Sequence, residues 1–78
     1  MIGRYHMYLS EMAIQEEALI KELHHEGSIK RRLLDLGIMK GATIQPILSG
    51  PKASMRAYLI KGTLIALRKS EADLIEIK

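Results

Sequence analysis

Glycine and proline punctuate this sequence so closely that it can hold only short elements. Past Gly27, breaks recur at Gly37, Gly41, Pro46, Gly50-Pro51 and Gly62. No uninterrupted run is long enough for more than a short helix or one arm of a hairpin. There is no internal repeat, low-complexity tract or linker. With 78 residues, 47% of them hydrophobic, the chain has material for one packed core and no second domain.

The clearest helix spans Ser28 to Leu36. Ser28 suits an N-cap, since its hydroxyl can accept a free N–H of the first turn. Ile29, Leu33 and Leu36 follow helical spacing and predict one apolar stripe. Gly37 stands where a left-handed C′ residue is needed, and Ile38 can fold back onto the last turn.

After Gly37 the period shortens. Thr43–Leu48 predicts a strand with an edge or bulge at Pro46. Ser54–Lys61 and Thr63–Arg68 predict a hairpin joined at Lys61-Gly62. Ser70-Glu71-Ala72-Asp73 has capping-box spacing and predicts one helical turn, and Leu74–Ile77 a closing strand. Upstream, Leu9–Met12 predicts a short turn. Ala18–Leu23 fits a half-buried strand with Ala18 and Ile20 inward, with a helix as the alternative because Gln15–Leu19 are decent helix formers. The expected fold is mainly β: a small barrel of about five strands with one inserted α-helix, curled so that few strand edges stay open. Residues 1–8 are expected to be a loosely ordered lead-in to a domain over 9–78.

Charge is unevenly spread. Residues 1–26 carry Arg4 and Lys21 against five glutamates, whereas 27–69 carry nine basic residues against Asp35 alone. Residues 70–78 carry Lys78 against Glu71, Asp73 and Glu76. This is either a basic binding face or segments that mix in space on folding. Lys30-Arg31-Arg32 stand at the start of the predicted helix and Asp35 near its end, both against the helix dipole. Helix stability does not explain that placement. An acidic partner or anion would; the alternative is an Arg32 that folds inward to bond a carbonyl, with Lys30 and Arg31 merely solvated.

The remaining chemistry is sparse. The chain has no Cys, so neither disulfides nor thiolate metal sites hold it. His24, His25 and Glu26 are the weak metal candidates: on a strand the two histidines would point to opposite faces, in a loop they could converge with Glu26, and a cation site needs three or more ligands. His6 with Met7 is weaker still. There is no Walker-type loop, and Ser10, Ser28, Ser49, Ser54 and Ser70 lack a His-acid arrangement, so no enzyme and no cofactor are expected. A nucleic-acid barrel would want aromatic platforms; Phe and Trp are absent, and of Tyr5, Tyr8 and Tyr58 only Tyr58 lies in the predicted barrel. No apolar run approaches the ~20 residues of a membrane span, and the first residues make a poor signal peptide, which together predict a cytoplasmic protein without membrane insertion.

Several segments, in order, resemble the FeoA family. Arg31-Arg32-Leu33-Leu34-Asp35-Leu36-Gly37-Ile38 with Gly41 is similar to its R-R-L-x-x-L-G-(I/L/M)-x-x-G helix and turn. Gly62-Thr63-Leu64-Ile65-Ala66-Leu67-Arg68 is similar to its G-x-x-I-A-L-R hairpin, followed by Glu71-Ala72 and Leu74-Ile75. Leu9-Ser10-Glu11-Met12 resembles the opening L-x-x-(L/M), and Pro51 the proline of the mid-strand loop. One departure stands out: where the family usually carries Pro-Gly, this chain has Ile14-Gln15, which predicts a less sharp turn or a helical extension through Glu16-Glu17.

The resemblance implies an SH3-like module that assists ferrous-iron uptake beside FeoB, the membrane permease with a GTP-binding domain. The same module ends DtxR-class repressors, where it makes protein contacts. It further implies structural roles for the motif residues. Leu33, Leu36, Ile38, Ile65 and Leu67 would be core. Gly37, Gly41 and Gly62 would be backbone necessities, and Arg32 and Arg68 would anchor carbonyls or carboxylates. Partner contacts are then expected at Lys30, Arg31, Lys52, Arg56 and Tyr58. The leading expectation is a non-catalytic adaptor that binds the cytoplasmic part of a FeoB-type transporter, with weak self-association a further partner class. The alternatives are a metal-binding iron donor and, behind it, a basic nucleic-acid-binding barrel.

Overall fold

A computed structural model describes residues 7–50 and 54–78. It contains β1 (Met7–Tyr8), a 3₁₀ turn (Leu9–Glu11), β2 (Ala18–Leu23), α1 (Gly27–Asp35) and β3 (Thr43–Ser49). β4 (Met55–Ile60), β5 (Thr63–Arg68), α2 (Lys69–Ala72) and β6 (Ile75–Ile77) follow. Among the described residues six antiparallel strands, one more than expected, form a sheet in the order β1-β6-β2-β3-β4-β5. The extra strand, β1, lies in the segment expected to be loose and pairs Met7 with Ile77 and Tyr8 with Glu76.

β3, β4 and β5 form a meander whose cross-strand rows alternate between two faces. One face carries Ile44–Ile60–Thr63, Pro46–Tyr58–Ile65 and Ser49–Arg56–Leu67. The other carries Gln45–Leu59–Leu64, Leu48–Ala57–Ala66 and Met55–Arg68. The first faces the core, where Ile44, Pro46, Tyr58, Ile60 and Leu67 join Leu9, Ile20, Leu33, Ile38 and Ile75.

The turns obey the local chemistry of their residues. α1 ends in a Schellman motif: Ile38 N–H donates to the Leu33 carbonyl and Gly37 N–H to that of Leu34, both at 3.0 Å. Gly37 has φ +94° and Ile38 is fully buried, as expected. Lys61 (φ 49°) and Gly62 (φ 81°) give the two positive φ values of a type I′ hairpin turn, matched to strand twist. Pro46 sits beside a register shift in β3, and β2 pairs β3 only at Thr43 and Ile44. At Pro46 the strand is therefore an edge on that side, where its missing donor costs nothing.

Other expectations are corrected. α1 begins at Gly27 with Glu26 as N-cap, and no side chain caps it, so Ser28 is already inside the helix. Its stripe narrows to Leu33: Ile29 is 48% and Leu36 44% exposed, because α1 lies at the rim of the core. In β2, Ile20 is buried and Ala18 packs against the core, as expected, while Leu23 joins them because a bulge between Ile20 and Glu22 shifts the phase. The turn at Ala13–Glu16 is not relaxed. Gln15 takes φ 79° and Glu16 N–H bonds the Ala13 carbonyl at 3.2 Å, a type II turn with Gln15 in the position that favours glycine. Tertiary bonds hold it: Gln15 N–H to the Pro46 carbonyl (2.6 Å) and Gln45 Nε2 to the Gln15 carbonyl (2.7 Å). α2 begins one residue early, and its capping acceptor is Glu71, bonded to the Arg68 N–H at 2.9 Å, in place of the expected Ser70-Asp73 box.

Candidate partner-binding surface

α1 projects its cations from the rim. Lys30 ends the first turn, Arg31 follows, and Arg32 lies in the last turn, where positive charge suits the dipole. The dipole conflict read from the sequence therefore rests on Lys30 and, more weakly, Arg31. Arg31 and Arg32 are exposed and Lys30 half-buried. Arg32 is not folded inward; its guanidinium forms an ion pair with Glu71 on α2 and ties the two helices together. Ser28, Ile29, Arg32, Arg68, Ser70 and Glu71 line a cleft of about 530 Å³ between them.

Two expected contact residues serve the core. Tyr58 is 1% exposed, so it cannot meet a partner, and burial pushes its phenol above the usual 10 while the Arg56 guanidinium opposes that. Arg56 bridges to the N-terminal segment, its Nη1 donating to the Met12 carbonyl at 2.9 Å. Both lie on the inward face of β4, a phase that the sequence left open because Ser54–Lys61 is apolar on both faces. Lys52 lies outside the described residues.

His24 and His25 lie past the end of β2, in the connection to α1, and their Nε2 atoms meet different groups. His24 Nε2 meets Glu76 Oε1 at 2.9 Å, with Lys21 Nζ 3.5 Å from the other carboxylate oxygen. His25 is buried, and its Nε2 donates to the Glu71 carbonyl at 2.7 Å. Glu26 is exposed at the head of α1. Among the described residues no three His or acidic side chains converge as a metal site would require. Glu76 is the residue that sequence reasoning missed: a buried carboxylate in β6, next to strands that bring it His24 and Lys21 from a distant part of the chain.

Of the motif residues, Leu33, Ile38 and Leu67 are buried and Ile65 packs against the core. Gly41 and Gly62 have φ +90° and +81°. Leu36 is outside the core, and Arg68 is exposed, contributing its backbone N–H to Glu71. No helix among the described residues is long and apolar enough to cross a membrane.

Similarity to known proteins agrees with this architecture. Over 92% of this chain, a fusion of Fe(2+) transport protein A with the Fe(2+) transporter FeoB from Porphyromonas gingivalis is 29% identical; the match spans 8% of that much longer protein. The solution structure of iron(II) transport protein A from Clostridium thermocellum superposes with a TM-score of 0.88 at 33% identity, covering 92% of this chain and 44% of that one. Stenotrophomonas maltophilia FeoA complexed with zinc, described as an SH3 domain protein, gives 0.76 at 32% identity over 92% and 89% of the two chains. The model of the FeoA domain matches residues 7–78, and the chain belongs to the FeoA domain family.

Proposed function

We propose that this chain is a non-catalytic accessory of ferrous-iron uptake that acts in the cytoplasm by binding the cytoplasmic part of a FeoB-type transporter. The observation that carries this reading is the Porphyromonas gingivalis relative, in which a homologous segment is fused to the transporter itself. Fusion keeps two partners at high effective concentration, an arrangement useful where separate chains must otherwise find each other. The exposed cations Arg31 and Arg32, with half-buried Lys30 beside them, supply a contact for an acidic surface. Calorimetric titration of the protein against the isolated cytoplasmic domain of a FeoB-type transporter tests the reading. Saturable one-to-one binding is expected; no heat and no co-elution at high micromolar concentration would reject it.

The iron-donor alternative has one observation in its favour, the zinc complex of the Stenotrophomonas maltophilia relative. Against it, the Nε2 atoms of His24 and His25 face separate protein partners. Anaerobic titration with ferrous ion is expected to show no sub-micromolar site. One-to-one binding abolished by His24→Ala or His25→Ala would promote the donor reading.

A further inference from the structure

We propose that α1 is a hinged strap over the open edge of β5, fastened at Glu71, and that its release is the first local opening of the fold. Among the described residues β5 has β4 as its one strand neighbour. Ile60 and Thr63 close the type I′ hairpin, and beyond its far end the Lys69 N–H bonds the Ser54 carbonyl at 2.8 Å. In an antiparallel ladder the bonded pairs recur at every second residue, so Thr63, Ile65 and Leu67 turn their backbone groups to β4. Leu64, Ala66 and Arg68 turn theirs away. Glu71 Oε1 takes the Arg68 N–H at 2.9 Å. Leu64 and Ala66 pair with no further strand among the described residues. Left uncovered, such an edge is a template for pairing with another chain, and folds guard it with a helix or loop.

α1 is placed to do this. Its C-terminal end reaches the turn that opens β5, where Lys61 Cδ lies 3.4 Å from the point a Gly37 Cβ would occupy. Its first turns reach the other end, where Ser28, Ile29 and Arg32 share the cleft of about 530 Å³ with Arg68. Nine helical residues span roughly 13 Å and six strand residues roughly 17–20 Å, so the helix matches most of the edge. The two ends of α1 are held unequally. After its C-terminus, Ile38 is in the core and the Schellman bonds fix Gly37. Within α1 itself Leu33 alone is buried, and no side chain caps the N-terminus. The hold there is Glu71, whose carboxylate pairs with Arg32 and whose carbonyl accepts from His25 Nε2 at 2.7 Å. The two carboxylate oxygens have separate duties: Oε1 caps α2 and Oε2 meets Arg32. Arg32 can therefore let go without dismantling α2, and its exposed pair is weak and screened by salt. Release swings α1 about Gly37 and bares Leu64 and Ala66.

Native-state amide exchange of the full-length, ¹⁵N-labelled protein, followed by NMR, tests the strap. Leu34, Asp35 and Leu36 should exchange through an opening smaller than global unfolding, together with Leu64 and Ala66, while Ile65 and Leu67 wait for global unfolding. Arg32→Met keeps the apolar stem and removes the ion pair. It should speed exchange in α1 and at Leu64 and Ala66 by about fivefold and leave Ile65 and Leu67 unchanged. Raising salt on the parent protein should act in the same direction, which tests the clasp without a substitution. Exchange of α1 in step with Ile65 and Leu67 would overturn the proposal, as would Arg32→Met speeding every amide alike or none. Leu64 and Ala66 exchanging at unprotected rates in the parent would overturn it too, since α1 would then leave the edge open.

Discussion

The two faces of the β3–β5 meander are made from similar residues and meet different surroundings. Inward, Ile44, Tyr58, Ile60 and Leu67 are at most 2% exposed and share one core with residues from most other elements. Outward, Leu48, Leu59 and Leu64 are just as apolar, yet Leu48 and Leu64 stay more than half exposed. Composition therefore does not separate core from surface in this meander; the pleat does. A one-residue slip would exchange the faces, so the register of the hairpin decides which of these residues form the core.

The largest test of this contrast compares aliphatic truncations on the two faces. Ile60→Ala empties a fully enclosed site and should cost roughly 2–5 kcal/mol of stability. Leu64→Ala, on the opposite face of the same hairpin, should stay within about 0.5 kcal/mol of the parent. Urea melts of both variants read this directly, and comparable losses would mean that the outer face is structural.

The turn that sets the register comes next. Gly62 holds φ +81°, and nothing lies within 4 Å of the point where a Cβ would stand, so Gly62→Ala meets a backbone penalty and no clash. A loss of about 1 kcal/mol is expected from denaturant midpoints, without a specific binding defect beyond it. An unchanged midpoint would show that the turn tolerates an L side chain at this position.

A smaller effect of opposite sign is expected at Gln15, whose carbonyl and N–H link the Gln45 side chain to the Pro46 carbonyl. Its φ of 79° is unfavourable for a residue with a Cβ. Gln15→Gly should therefore stabilise by roughly 0.5–1 kcal/mol, the left-handed penalty less the added entropy of an unfolded glycine. A raised thermal midpoint confirms it; a lowered one would mean that the Gln15 side chain contributes more than its backbone costs.

The smallest stability change is expected where charge alone is at issue. Lys30→Glu with Arg31→Glu should move the melting temperature little or slightly upward, because negative charge suits the early turns of α1. The same change should weaken association with the transporter's cytoplasmic domain at low salt, and the deficit should shrink at high salt. Equal affinity of parent and double variant at low salt would leave Lys30 and Arg31 as solvated surface.

Much of this architecture is written locally. Gly37 with Ile38 specifies the end of α1, and Lys61-Gly62 the hairpin, because backbone conformation there depends on a few adjacent residues. Pro46 announces the shift in β3 for the same reason. The repeated Glu that reaches back three residues is equally local: Glu11 to the Tyr8 N–H, Glu16 to that of Ala13 and Glu71 to that of Arg68. The ordered motifs over the chain were enough to place it in its family.

What only the tertiary structure decided is which way ambiguous side chains point. Tyr58 and Arg56 went inward and Leu36 outward, since a strand apolar on both faces and a helix at the rim carry no signal of which side meets the core. The bulge in β2 moved Leu23 into phase with Ile20, and a bulge depends on the neighbouring strand, not on its own residues. Gln15 keeps a glycine conformation because Pro46 and Gln45, about thirty residues away, hold both of its peptide groups. Glu76 meets His24 and Lys21 only because β6 inserts between β1 and β2. Such contacts join residues far apart in the chain, and their energies exist only once the sheet has closed around them.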